Sequence, residues 1–359
     1  MISLFNASAS DFHSNGDMVL QPTSCQISAE LNGAWSLQLE HPFDSIGRWR
    51  WILPDCILKV PSFNGEQLFR IQSTQKTLSS ITAIAAPIFL DSAKEVFLTD
   101  VRPTKKNGQQ ALDILLKNTR YSGLSDIKKV ETSYYEYKSL GEALTGNDDN
   151  SFINRWGGEV IYDNYTIHIT ERAGKDNHVN VFYGKNLLAV DESVDYSEII
   201  TRIYPKGYNG RSMSNHGYVA SPTQYPFARC KTITYSDIAL AGDVNDHDEQ
   251  LTICSTQAEL DVALAKRSRE EFASGLDKPA VSISVDLAML YGTAEYQLYR
   301  ELETISLGDV IHCKHSAINI DSMERVVSLV YDCIRKQISK CTIGSKRYSF
   351  INRIAQLTI

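Results

Sequence analysis

Residues 25–39 read CQISAELNGAWSLQL, and their register decides how the chain begins to fold. Cys25, Ile27 and Ala29 alternate with polar residues, and Trp35, Leu37 and Leu39 do the same beyond Asn32-Gly33. Period-two alternation marks a strand with one buried face, so the stretch reads as a half-buried hairpin. A two-residue loop would pair Leu31 with Ala34 and put Ile27 and Ala29 on the face opposite Trp35 and Leu37. A three-residue loop, Leu31-Asn32-Gly33, pairs Ala29 with Trp35 and Ile27 with Leu37. All apolar residues then share one face, so the three-residue loop is expected, with Gly33 left-handed in a glycine bulge.

Further strand-like pieces follow at 49–60, 67–75 and 79–86, and several short strands with turn residues between them point to a small barrel or sandwich. The composition shifts after Phe97. Residues 108–118 (GQQALDILLKN) place Leu112, Leu115 and Leu116 on one side of a helix. Short helices are expected at 139–145 and 151–156, with Gly157-Gly158 as a stop. A second hairpin is expected at 160–169, where a two-residue turn at Asp163-Asn164 pairs Tyr162 with Tyr165 and Val160 with Ile167. A strand at 179–183 completes a small α+β segment. Strand character returns at 198–204, and a polar excursion covers 209–250. The longest helix is expected at 256–276, with Thr256 and Glu259 at capping-box spacing and Gly275 near its end. Strands resume at 281–285, 310–315, 325–331 and 337–343, with a turn at Gly308-Asp309. Two β modules of similar size therefore open and close the chain.

The chain has 359 residues, 43% of them apolar and 22% charged, an ordinary globular balance. Its formal net charge of -7 disfavours tight nucleic-acid binding, because gripping phosphates calls for a basic excess. No apolar run approaches the ~20 residues needed to cross a bilayer, and the first residues lack the basic start and apolar stretch of a secretory signal. The seven cysteines are scattered without a CxxC pair and read as reduced thiols in a core.

Chemistry-bearing motifs are scarce. There is no Gly-x-Ser-x-Gly, Walker loop, GxGxxG or HExxH in the chain. His312-Cys313-Lys314-His315 resembles a metal string, but on a strand neighbouring side chains point to opposite faces, and His312 and His315 do too. An alternating strand with one buried thiol is the better reading. The acidic run Asp243 to Glu249, with Asp246, His247 and Asp248, lacks the glycine and glutamate spacing of a calcium loop and reads as a solvated loop. Asp148-Asp149 reads as a helix-capping connector. Trp49 and Trp51 would share a strand face, with Arg48 and Arg50 on the other. The favoured uses are core or protein interface first, carbohydrate platform second, nucleic acid last. No catalytic, cofactor-binding or metal-binding residue and no cofactor is assigned.

The order of several segments resembles the phage minor structural protein family, the N-terminal hub part of tail-associated lysins, also called prophage tail endopeptidase proteins. The matching pieces are LNGAWSLQLEHPFD (31–44), ITAIAAPIFLDSAKEVF (81–97) and VRPTKKNGQQALDILLKNT (101–119). Three more are INRWGGEVIYDNYTIHITERAGKDN (153–177), VFYGKNLLAVDESVDYSEIITRIYPKG (181–207) and SLGDVIHC (306–313). Most informative is WGGE, a hairpin, then Glu171-Arg172-Ala173-Gly174-Lys175-Asp176 and Tyr183-Gly184-Lys185-Asn186-Leu187. Ala173 departs from the Arg-Gly or Arg-Arg-Gly often found there.

The resemblance implies a multidomain, mainly β protein with α+β parts: two similar small β-barrel domains, an α/β domain and a helix-containing insertion, like a phage tail hub. The expected boundaries are a first barrel at 1–97, an α+β domain at 98–185, and a second barrel at 186–208 and 280–344. The insertion covers 209–279, and a C-terminal tail covers 345–359. It further implies a homotrimeric ring at the virion tail tip, assembled in the bacterial host cytoplasm. The ring would adjoin the distal tail protein, the tape measure protein, and a spike, fibre or lysin. DNA would pass through it without specific binding. Relatives that cut peptidoglycan carry the hydrolase in a further C-terminal part. The end at Ile359, soon after the last β module, makes a hub without lysin, and no enzyme, the expectation. The rivals are an endopeptidase or glycan hydrolase using Asp246, Asp248 or Glu249, and a carbohydrate- or receptor-binding tail protein using Trp49 and Trp51.

Overall fold

The 25–39 hairpin forms with the expected pairs: Cys25 with Leu39, Ile27 with Leu37 and Ala29 with Trp35. All six side chains are buried. Each large apolar side chain so buried is worth about 1.5–3 kcal/mol, against which a one-residue slip would expose the whole set. The left-handed residue is Asn32, at φ 53°, and not Gly33. Asn tolerates this conformation, and its Oδ1 accepts the Val160 amide at 2.8 Å. Gly33 is required for space, since a Cβ there would lie 2.7 Å from the Glu30 Cβ.

The computed structural model describes residues 1–176, 179–182, 187–235, 237–244, 252–287, 305–315 and 320–344. The protein is mainly β, with few helices. It divides into two compact units, Met1–Glu192 with Ser282–Ile359, and Ser193–Val281.

In the first unit the hairpin strands Ser24–Glu30 and Trp35–Pro42 sit at the middle of a 13-stranded sheet. On one side lie Ser80–Pro87, Gly65–Lys76, Ile57–Ser62, Ser3–Phe5 and Met18–Val19 in that order. On the other lie Ile320–Asp332, Gln337–Gly344, Ala280–Leu287 and Leu187–Asp195. Val310–His315 also pairs with Ile320–Asp332 and carries Val179–Phe182 parallel to it. Strands from the first 97 residues and from 280–344 are thus hydrogen-bonded neighbours, Leu329 opposite Ala29 and Tyr331 opposite Ile27. Among the described residues the strand path is open, and no pairing closes it into a barrel.

Two more sequence expectations in this unit are corrected. The strand expected at 49–60 begins only at Ile57, because Arg48–Trp51 is a 3₁₀ turn. Gly47 enters it left-handed at φ 79°, and the Asp44 carboxylate accepts the Gly47 and Arg48 amides at 2.8 and 2.9 Å. The second hairpin is shifted: Asp163 pairs with Thr166, Tyr162 with Ile167 and Val160 with Ile169. Its turn is Asn164-Tyr165, because Asn164 takes the left-handed position at φ 52° and is clipped to the neighbouring strand. Its Oδ1 accepts the Leu68 amide at 2.9 Å, and its Nδ2 donates to the Glu66 carbonyl at 3.1 Å. Val160, Tyr162, Ile167 and Ile169 still share one buried face.

The helices form close to their expected places. Gly108–Leu115 is started by an Asn107–Gln110 capping box, Leu140–Thr145 by Ser139 with Glu142, and Phe152–Trp156 by Ser151. Gly157 and Gly158 follow at φ 80° and 106°.

The second unit is built around Arg202–Lys206, parallel to Cys230–Thr234 and antiparallel to Val219–Ala220. The strand expected at 198–204 begins later. A parallel pair, Ile238–Leu240 with Thr252–Cys254, stands beside it. The long helix Gln257–Ala273 is capped by Thr256, whose hydroxyl accepts the Glu259 amide at 3.2 Å. Leu260, Leu264, Ser268 and Phe272 recur every fourth residue on its buried face. Leu260 and Leu264 cluster with Tyr235, Ile238 and Cys254, and Phe272 clusters with Ile203 and Val219.

Candidate functional site

Three segments that carried the family resemblance meet at one place in the first unit. Glu159 follows the Gly157-Gly158 stop and opens the strand Glu159–Asp163. Ala173-Gly174-Lys175 forms the loop after the strand Thr166–Thr170. Ser306 to Asp309 turns into the strand Val310–His315. Arg325, on the long strand Ile320–Asp332, fastens all three.

The Arg325 guanidinium donates to both carboxylate oxygens of Glu159, Nη1 to Oε1 and Nη2 to Oε2, each at 2.7 Å. Nη2 also donates to the Ala173 carbonyl at 2.8 Å, and Nε to the Gly308 carbonyl at 3.1 Å. Glu159 Oε2 accepts the Ala173 amide at 2.7 Å. This fork-to-fork geometry is the strong form of the ion pair. Asp309, only 3% exposed, accepts the Lys175 amide at 2.6 Å and the Ser306 amide at 2.8 Å. Burial pushes the Asp309 carboxyl up, against those backbone donors. The hydrogen bonds it donates to the Glu159 carboxylate push the Arg325 guanidinium up, so it stays charged.

Two glycines make the contact possible. A Cβ on Gly174 would lie 2.1 Å from the Gly308 carbonyl carbon, and one on Gly308 would lie 2.5 Å from the Ala173 oxygen. Both are left-handed, at φ 77° and 84°. Backbone therefore lies directly on backbone, a distance open only to glycine. The hydrogen bonds hold backbone carbonyls and amides, and each oxygen of both carboxylates is engaged. Such a cluster suits a mechanical joint and leaves no free base or nucleophile.

The same α+β segment is anchored elsewhere to the opening strands. Gln67 Nε2 donates to Asp163 at 2.8 Å, Asn64 Nδ2 to the Tyr162 carbonyl at 3.2 Å, and the Asn164 amide to Gln67 Oε1 at 2.9 Å. Tyr162 meets Trp35 edge-on at 5.5 Å, and Trp35 lies 5.3 Å from Phe63.

The residues singled out from sequence that the structure describes do not converge. Trp35 and Trp156 are buried. Trp49 packs on Phe43 at 4.4 Å with Arg50 and Lys76 over its ring, and Trp51 is 49% exposed. Because Arg48–Trp51 is a 3₁₀ turn, the shared strand face assumed for Trp49 and Trp51 does not exist. His312 and His315 lie on the strand Val310–His315 as expected. Among the described residues no group of three His, Cys, Asp or Glu side chains is placed to hold a metal. Asp148 pairs with Lys138 and accepts the Asn150 amide, as a connector would. Asp243 is held by Arg211 at 2.6 and 2.8 Å. Asp246, His247, Asp248, Glu249, the 183–186 stretch and the 345–359 tail lie outside the described residues. No described helix is long and apolar enough to cross a membrane. Arg325 and Glu159 were missed because the pair is separated by 166 residues. The available signal was the glycine beside each acid, in Gly158-Glu159 and Gly308-Asp309.

Comparison with known proteins bears on this joint directly. The profile of the prophage endopeptidase tail family matches residues 175–354, which include Gly308, Asp309 and Arg325. No curated protein matches the chain. Prophage tail protein gp18 from Listeria monocytogenes EGD-e is similar in structure, with 16% identity, a TM-score of 0.60, and 99% of this chain and 98% of that chain covered. A tail protein from Neisseria meningitidis MC58 is similar at 11% identity and a TM-score of 0.61, covering 96% of each chain. The 43 kDa tail protein of prophage MuSo2 from Shewanella oneidensis matches at 11% identity and a TM-score of 0.59, covering 95% of this chain and 97% of that chain. At such identities the likeness is one of fold. The matched profile spans half the chain, so the chain belongs to the prophage endopeptidase tail family and is a phage tail protein.

Proposed function

We propose that this tail protein is a structural hub of the tail tip, in which three copies close a ring around a channel for DNA. In this reading each copy supplies two similar small barrels, 1–97 and 186–208 with 280–344, decorated by the α+β domain 98–185 and the insertion 209–279. The ring joins the tail tube, distal tail protein and tape measure protein to a spike, fibre or lysin. It is assembled in the host cytoplasm and makes and breaks no bond. The observation that carries the reading is the joint: the chain's signature residues clamp backbone to backbone through Arg325, Glu159 and Asp309. The net charge of -7 supports a passage for DNA, since few basic groups mean few phosphate contacts.

Sedimentation equilibrium of the purified chain tests the ring, with electron microscopy of particles made without it. A trimer with a central opening, and tailless particles, are expected. A monomer at high concentration together with normal tails overturns the reading. One observation favours a second reading: the family's own description names an endopeptidase. Release of peptides from purified peptidoglycan, abolished by Asp246→Asn, Asp248→Asn or Glu249→Gln, would establish it.

A further inference from the structure

We propose that Cys25 and Cys333 are a redox modification site, which closes into a disulfide when a disulfide oxidant is present. Cys25 lies at the start of the strand Ser24–Glu30, and Cys333 directly follows the strand Ile320–Asp332. The register Tyr331 to Ile27 and Asp332 to Gln26, continued by one residue, sets Cys333 opposite Cys25. The Cys333 amide donates to the Cys25 carbonyl at 2.9 Å. A hydrogen-bonded antiparallel pair of this kind has Cα atoms ~5.5 Å apart, inside the window of about 4.4–6.8 Å that a disulfide spans. Opposed residues project to the same face, and both thiols are buried, 1% and 2% exposed.

The neighbouring Cys333 thiol, together with burial, pushes the Cys25 thiol up. Both are free thiols in the structure. In the strand register Cys341 lies opposite Val285 and Leu329. Access is through Cys333, the first residue of a turn whose next residue, Ile334, is 45% exposed.

With oxidised glutathione, the Cys333 thiolate attacks one glutathione sulfur, forming a mixed disulfide and releasing one glutathione thiolate. The Cys25 thiolate then attacks the Cys333 sulfur and releases the second. Two electrons pass to the glutathione disulfide, and the two thiol protons end on the two released glutathiones. The bond would lock the seam between the opening and closing strands of the sheet. Under the tail reading, the chain is made in a reducing cytoplasm and works outside the cell, where disulfides persist.

The test is peptide mapping of the full chain after incubation with oxidised glutathione, without reductant. Trypsin isolates Cys25 in 1–48 and Cys333 in 326–335, each with no second cysteine. The expected product is those two peptides joined. The oxidised chain should melt roughly 5 °C or more above the dithiothreitol-treated chain, a gain absent in Cys333→Ser. The peptide map needs no variant, so a poorly folding Cys333→Ser leaves the proposal testable. Recovery of both cysteines as free thiols, as separate glutathione adducts, or joined to other cysteines overturns it.

Discussion

Gly174→Ala should break the joint, and its effect can be worked out against a second glycine. An added Cβ would stand 2.1 Å from the Gly308 carbonyl carbon, 2.3 Å from the Asp309 nitrogen and 2.4 Å from the Gly308 oxygen. All three are backbone atoms, so no side-chain rotation relieves the clash. The closest contact is about 1.3 Å short of ordinary van der Waals distance. The loop must move away, stretching the Lys175–Asp309 and Arg325–Ala173 hydrogen bonds. The left-handed backbone costs alanine about 1–2 kcal/mol, overpacking about 1–3 kcal/mol, and each weakened bond up to about 1 kcal/mol. A loss of about 4 kcal/mol follows. Gly47→Ala is the control: it is left-handed at φ 79° and ψ 24°, and its added Cβ would meet only the Arg50 side chain, at an ordinary 3.6 Å. Only the conformational cost of about 1 kcal/mol applies there. At roughly 2–4 °C per kcal/mol, Gly174→Ala should lower the melting midpoint by about 10 °C and Gly47→Ala by about 3 °C. Calorimetry with hydrogen exchange over 306–313 measures both. Equal midpoints for the two variants, with unchanged amide protection at 306–313, would refute the reasoning.

The turn of the second hairpin gives another test. Asn164→Ala removes the acceptor for the Leu68 amide and the donor to Glu66, and puts alanine at φ 52°. A destabilisation of about 2–3 kcal/mol is expected, and a smaller one for Asn164→Gly, which tolerates the backbone. Chemical denaturation of the three proteins checks the order, and equal midpoints for all three contradict it. In the second unit, burial raises the Asp277 carboxyl, but hydroxyl donors Ser221 at 2.5 Å and Thr223 at 2.8 Å outweigh it and hold it below its ordinary value. A lowered folded pKa gives stability that is present above the unfolded value of about 3.9. That contribution should vanish as pH falls below ~4 toward the folded value, and Asp277→Asn should lack this acid limb. Hydrogen exchange over 200–234 between pH 7 and pH 3 reads it, and an identical acid limb in the variant counts against the assignment.

Much of the local structure was legible from residue order. The alternation in CQISAELNGAWSLQL fixed the register of the first hairpin, because only one loop length puts every apolar side chain on one face. Thr256 with Glu259 announced the start of the longest helix, since a cap acts within one turn of chain. Where local signals competed, the sequence misled. GRWRW looks like a strand by alternation, yet Gly47 and the Asp44 carboxylate turn it into a 3₁₀ segment. The second hairpin slipped because Asn164 is held by Leu68 and Glu66, contacts nearly a hundred residues away. The joint was half visible. Gly-Gly-Glu, Ala-Gly-Lys and Leu-Gly-Asp stood out as motifs that resemble a family, but nothing in their spacing says that they touch. Sequence by itself determined most of the strands and helices and which of their faces are apolar, because those preferences act over a few residues. The tertiary structure alone decided that Arg325 binds Glu159, that Gly174 lies on Gly308 and that Cys25 faces Cys333. Those contacts join segments more than a hundred residues apart, and their energy exists only once the intervening chain has folded.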